Sequence, residues 1–289
     1  MINTYKINMT GPSHILKGKP CQDAYCIKRN KGGVVFAACA DGLGSEAYSD
    51  IGARAAVECI VKECLDNYDE NMQAEHVEKI MKKAFINGYK RVNLVATAMD
   101  NPVTEYDTTI CLAIYDNGHL YYGQAGDSGL IALLEDGSIV RVTEQQRDEF
   151  GYVYPLCAGP ERWEFGEVEE KVSSFMLMTD GIWDQICPPI LNDKDINVNV
   201  PLAYGFLDLN GKCEDIEPVE KEAARYWKDY PCESLDDDKT MIVVFNDEIP
   251  AARRDEDYYK APDWESLIEN AKEVLYENVS EEDSAVENV

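Results

Sequence analysis

Three acidic positions fall where apolar, strand-like runs begin or end. Asp41 directly follows the run Val34 to Ala40, and Gly42 comes next. Asp180 comes after Phe175 to Met178 and is followed by Gly181. Asp237 and Asp238 come just before Met241 to Phe245. A carboxylate at the end of a buried strand is costly if nothing pairs with it. Several such ends meeting at one sheet edge would repel one another and need cations between them. Hard oxygen ligands select Mg²⁺ or Mn²⁺. The glycine after Asp41 and after Asp180 allows a sharp turn and brings its carbonyl close to an ion. Asp-Gly also makes ordinary turns, so only the three sites together carry weight.

The elements that must position these groups follow from periodicity. Val34 to Ala40 is a continuous apolar run, as expected of a strand buried on both faces. Ile110 to Tyr115, Leu120 to Gln124, Leu130 to Leu134 and Ile139 to Val142 follow, with Asp116-Asn117-Gly118 and Glu135-Asp136-Gly137 as hairpin turns. These predict an antiparallel meander. Asp50 to Leu65 and His76 to Ala98 have helical spacing, the first capped by Ser49 or Asp50. The class expected is α+β, an antiparallel sheet covered by helices. Cys187 to Cys232 predicts a loop-rich insertion with one helix near Val219 to Trp227, and Trp264 to Val279 an amphipathic helix before a solvated tail.

Composition narrows the partners. The formal net charge is −28, which argues against nucleic acid and against an anionic membrane. It suits divalent cations or a basic partner protein, and equally suits solubility alone. Residues 1–10 lack a basic stretch leading into an apolar one, and no apolar run reaches about 18 residues, so a cytoplasmic location is expected. The ten cysteines form no Cys-x-x-Cys pair and are expected to be free thiols.

Six ordered motifs carry a resemblance. They are Cys21-Gln22-Asp23, Ala40-Asp41-Gly42-Leu43-Gly44-Ser45, Asp107-Thr108-Thr109, Gly126-Asp127-Ser128, Thr179-Asp180-Gly181-Ile182-Trp183-Asp184 and Asp237-Asp238-Lys239-Thr240. Together they resemble the protein phosphatase 2C family, and Gly11-Pro12-Ser13-His14 with Cys21-Gln22-Asp23 looks like a bacterial branch of it.

The resemblance implies an antiparallel β-sandwich flanked by helix pairs, four layers in all. Residues 1–246 would form the phosphatase domain, with a variable flap-like segment at about 187–232 and an acidic extension at 247–289. It also implies hydrolysis of phosphoserine and phosphothreonine in proteins by a metal-bridged water. Two Mn²⁺ or Mg²⁺ ions would be held by Asp41, Gly42, Asp180 and Asp237, with Asp23 in a supporting role and Asp127 and Asp184 completing a third site. Partners would be phosphoproteins, including a serine/threonine kinase or its target. No cysteine sits in a Cys-x5-Arg loop, so a thiol phosphatase mechanism is not expected.

The chain departs from the family around this cage. Leu16-Lys17-Gly18-Lys19-Pro20 has no arginine to grip phosphate, Leu43 stands where many members have histidine, and Gly129 replaces an arginine. His14 is the candidate general acid and phosphate contact, and Lys17 and Lys19 are candidate phosphate contacts; each has an ordinary structural alternative. The competing functional reading is a pseudophosphatase that binds a phosphopeptide or partner without turnover.

Overall fold

A computed structural model of the chain describes residues 1–191, 197–209, 215–230 and 236–272. Ten strands make two antiparallel sheets of five. The first orders β1 (Ile2–Met9), β10 (Lys239–Asn246), β9 (Val172–Met178), β6 (Gly129–Leu134) and β7 (Ile139–Arg141). The second orders β2 (Ala24–Arg29), β3 (Val35–Ala40), β4 (Ile110–Asp116), β5 (His119–Ala125) and β8 (Glu164–Val168).

The sheets pack face to face through alternate residues of their central strands. Val35, Ala37 and Cys39 meet Phe175, Leu177, Ile242 and Val244 in one buried cluster. The opposite faces are buried too. Phe36, Ala38, Leu112 and Ile114 pack under helices α2 (Ser49–Asn67) and α3 (Ala74–Ala98). Tyr5, Ile131, Met176, Met241 and Val243 pack under α4 (Asp180–Ile186), α5 (Val200–Leu207) and α6 (Ile216–Lys228). The result is the expected four-layer α-β-β-α sandwich. It explains why the β3 run is apolar throughout: every one of its six residues is buried.

Several local expectations are corrected. The four strands read as one meander form two hairpins in different sheets, β4–β5 and β6–β7. The chain changes sheets at Gly126-Asp127-Ser128, where Gly126 has a φ of 103°, a conformation glycine adopts without strain. The α2 N-cap is Tyr48, with no side-chain cap, instead of Ser49 or Asp50. The segment 187–232 is less loop-like than expected. Its helices α5 and α6 belong to the outer layer, with Leu207 and Trp227 buried and Lys6 on β1 bonded to Glu220 at 2.6 Å. Short helices containing Pro201 and Gly205, or a strongly charged face, give weak periodic signals. Of the C-terminal helix, 264–272 is helical, and 273–279 lies outside the described residues, as do Cys213 and Cys232.

Among the described residues, no helix is long and apolar enough to cross a membrane. A short α1 (Pro12–Lys17) and strands β1, β2 and β8 had no clear counterpart in the sequence pattern.

Candidate metal centre and active site

The ends of β3, β9 and the β5–β6 turn converge at one edge of the sandwich. Carboxylate oxygens of Asp41, Asp127 and Asp180 all lie within 4.8 Å of one another. Asp41 is fixed through its backbone. Its N–H donates to Thr109 Oγ1 at 2.9 Å, and its carbonyl accepts from Thr109 N (2.8 Å) and Thr108 Oγ1 (2.9 Å). Thr109 Oγ1 also lies 2.8 Å from Ser128 Oγ. The Asp107-Thr108-Thr109 motif therefore ties the Asp41 strand end to the Asp127 turn. Gly42 is held beside it by its N–H to the Gln22 carbonyl at 3.1 Å.

Asp180 is the first residue of α4, where the helix N-terminus favours negative charge. Asp184 follows one turn later on the same face. Gly129 explains one departure from the family. A Cβ there would come within 2.0 Å of the buried Trp183 ring. Trp183 thus packs the base of α4 directly onto the β6 backbone, where an arginine side chain would not fit.

The electrostatics are those of crowded anions. Asp41 is pushed well above the usual carboxylate range by burial, then by Asp180, Asp23, Asp127 and Asp237. Burial and Asp127, Asp237 and Asp184 raise Asp180 to about 7, against an opposing pull from Arg147. Asp127 and Asp184 are raised as well, chiefly by burial. Asp127 Oδ1 is buried and has no hydrogen-bond partner among the described residues. An all-oxygen set with an orphaned buried acceptor and mutual repulsion fits a hard divalent cation.

Asp23 lies buried behind the cluster. It accepts from Thr179 Oγ1 at 2.8 Å, and burial pushes it well above its ordinary range. Asp237 is exposed and stands outside the tight trio, yet close enough to raise Asp41 and Asp180. It groups instead with His14 and Asp238. Asp238, given no role of its own from the sequence, is buried. Its carboxylate accepts from Gly11 N (2.6 Å), Gln22 N (2.6 Å) and His14 Nδ1 (2.9 Å). It staples the N-terminal motif to the start of β10, so His14 is buried and already engaged.

Lys19 Nζ donates to the Gly44 carbonyl at 2.9 Å, and Lys17 is exposed at the end of α1. Among the described residues, neither is hydrogen-bonded or ion-paired to the carboxylate trio. Arg147 is, and no motif or period around it marks it. Its Nη2 lies 2.6 Å from Asp127 Oδ2 and 3.5 Å from Asp180 Oδ2. Burial raises the thiols of Cys21, Cys39, Cys111, Cys157 and Cys187, which keeps them un-ionised.

The sequence profile described as Protein phosphatase 2C matches residues 10–197. The chain belongs to this family and is, by that membership, a protein serine/threonine phosphatase. Solved structures share the fold at low identity. A bacterial serine phosphatase aligns with a TM-score of 0.58 at 14% identity, covering 88% of this chain and all of that one. The catalytic domain of the serine threonine protein phosphatase PstP, in complex with 2 manganese ions, aligns at 0.57 and 13% identity, covering 84% and 97%. Stp1 from Staphylococcus aureus aligns at 0.55 and 15% identity, covering 85% and 95%. A search among curated proteins found no match.

Proposed function

We propose that this chain hydrolyses phosphoserine and phosphothreonine in proteins, using two Mn²⁺ or Mg²⁺ ions held by Asp41, the Gly42 carbonyl, Asp180 and Asp237. The observation that carries this reading is the convergence of Asp41, Asp127 and Asp180 within 4.8 Å, with their carboxyls raised by burial and by one another. Such ions, when bound, polarise the phosphoryl oxygens and make water a nucleophile near neutral pH. The protein's own part is placement. Thr108 and Thr109 hold Asp41, α4 aims Asp180 and Asp184, and Asp23 braces the strand ends through Thr179.

His14 is proposed to orient Asp238 and thereby Asp237, in place of the general-acid role its position first suggested. His14→Ala strips a donor from a buried carboxylate, expected to cost about 1–3 kcal/mol, seen as a lower urea midpoint. An unchanged midpoint with a tenfold slower turnover would restore the acid role.

The phosphatase unit is proposed to span 1–246, with 247–289 as an extension. The extension begins against the body: Ala252 N donates to Glu135 O at 2.8 Å and Ile139 N to Tyr258 Oη at 2.7 Å. A place opposite a bacterial serine/threonine kinase is proposed from the family branch alone; recovery of no kinase or kinase substrate with the chain would count against it. The retained Asp41, Asp180 and Asp237 weigh against the pseudophosphatase reading, because an unneeded carboxylate cluster lowers stability whenever no metal is bound.

The test is phosphate release from phosphoserine and phosphothreonine peptides before and after thiol alkylation. Turnover that survives alkylation is expected. Tight Mn²⁺ binding with no turnover on any phosphopeptide would favour the binding module instead.

A further inference from the structure

Arg147 enters the carboxylate cluster from an irregular stretch after β7, and that stretch is firmly pinned. Gly126 N donates to Gln146 Oε1 at 2.9 Å, and Gln146 N donates back to Gly126 O at 3.0 Å. Tyr154 N donates to Gln146 O at 3.0 Å, and Arg147 pairs with Val153 in an antiparallel bridge. Gln145 Nε2 donates to Asp184 Oδ1 at 3.2 Å. The segment bearing Arg147 is thus tied to the same turn that carries Asp127 and to the helix that carries Asp180 and Asp184.

From this base the guanidinium reaches Asp127 Oδ2 at 2.6 Å and Asp180 Oδ2 at 3.5 Å. Asp127 is almost wholly buried, whereas the arginine side chain is about one-third exposed. The pairing runs through Nη2, so Oδ2 of Asp127 receives the cation while Oδ1 stays without a hydrogen-bond partner among the described residues. An always-charged group therefore sits against the outer side of the cluster, at the carboxylates a third ion would need.

We propose that the Arg147 guanidinium is the resident cation of Asp127 and of Asp180 Oδ2, limiting the chain to two divalent ions. This rests on reading the cluster as a divalent-cation centre. A free ion at Asp127 must displace a cation tethered to the same spot, and tethering gives the competitor a millimolar-scale effective concentration. Removing the guanidinium opens that place.

The experiment is calorimetric titration of the EDTA-stripped full chain with Mn²⁺, comparing the parent with Arg147→Gln and Arg147→Lys. The parent and Arg147→Lys are expected to bind two equivalents. Arg147→Gln is expected to bind three, or to gain at least tenfold in affinity for the last ion, and adding Asp127→Asn is expected to remove that gain. Identical titrations of the parent and Arg147→Gln would overturn the proposal while leaving the metal centre standing. So would three ions on the parent, which decides the matter even if Arg147→Gln does not fold. No Mn²⁺ uptake by the parent would overturn the metal centre itself, and the proposal with it.

Discussion

Asp41→Asn and Asp180→Asn are each expected to lower Mn²⁺-dependent phosphopeptide hydrolysis by about 10³-fold or more, roughly 4 kcal/mol of transition-state stabilisation. Each is also expected to raise the melting temperature measured in EDTA. The two effects share one cause. Asp41 and Asp180 are raised by burial and by neighbouring carboxylates, so without a cation their ionised forms work against the fold. Replacing one carboxylate with an isosteric amide relieves that repulsion and removes the ligand. For a chain of this size each kcal/mol gained shifts the midpoint by about 2–4 °C. Opposite signs for activity and metal-free stability separate this explanation from general damage, which would lower both. Retained activity in both variants would sink the assignment.

The second large effect is on stability as pH and metal are varied. An ordinary aspartate titrates at about 3.9, whereas Asp180 is raised to about 7 in the fold. A carboxyl raised in the folded state favours folding fully below its ordinary value, and loses that contribution as pH rises through the folded value. In EDTA, stability should therefore fall between about pH 4 and pH 7 and stay low above it. The net charge of −28 pushes the same way, so the informative quantity is the difference between the parent and Asp180→Asn. That difference should grow with pH across this window in EDTA. Mn²⁺ at a hundredfold excess over its dissociation constant should restore about 2.7 kcal/mol to the parent and much less to Asp180→Asn. Urea midpoints at pH 5 and pH 8 would show it. A parent curve that shifts with pH as Asp180→Asn does, or a parent indifferent to Mn²⁺, would contradict the electrostatic account.

What could be read from the sequence depended on how locally each feature is encoded. A strand covered on both faces must be apolar at every position, so β3 was plain from Val35 to Ala40. β1 was not, because Asn3, Lys6 and Asn8 dilute its pattern, and five of its eight residues are only partly buried. Turn residues located both hairpins but carry no record of which sheet a strand joins. That choice is made at Gly126 and by the fit of Trp183 against Gly129.

The site divided in the same way. Asp41 and Asp180 were visible as strand-end carboxylates, and they do meet. Asp127, expected at a third site with Asp184, lies within 4.8 Å of Asp41 and Asp180, and the Thr109–Ser128 contact ties its turn to the start of β4. Asp238 lay hidden beside Asp237; an exposed neighbour and a buried one look alike in a run of acids. Arg147 sits in a stretch without period or motif, and only the Gln145 and Gln146 hydrogen bonds bring it to the carboxylates. His14, expected as a general acid and phosphate contact, groups with Asp237 and Asp238, and its Nδ1 is committed to Asp238.

Divalent cations at Asp41 and Asp180 are proposed to drive phosphoprotein hydrolysis. The most direct measurement is the initial rate of phosphate release from a phosphothreonine peptide while Mn²⁺ is titrated in and then stripped with EDTA. The rate is predicted to rise from background with cation occupancy, to return to background in EDTA, and to stay at background throughout in Asp41→Asn. A rate indifferent to EDTA, or a fully loaded centre with no rate, would contradict it.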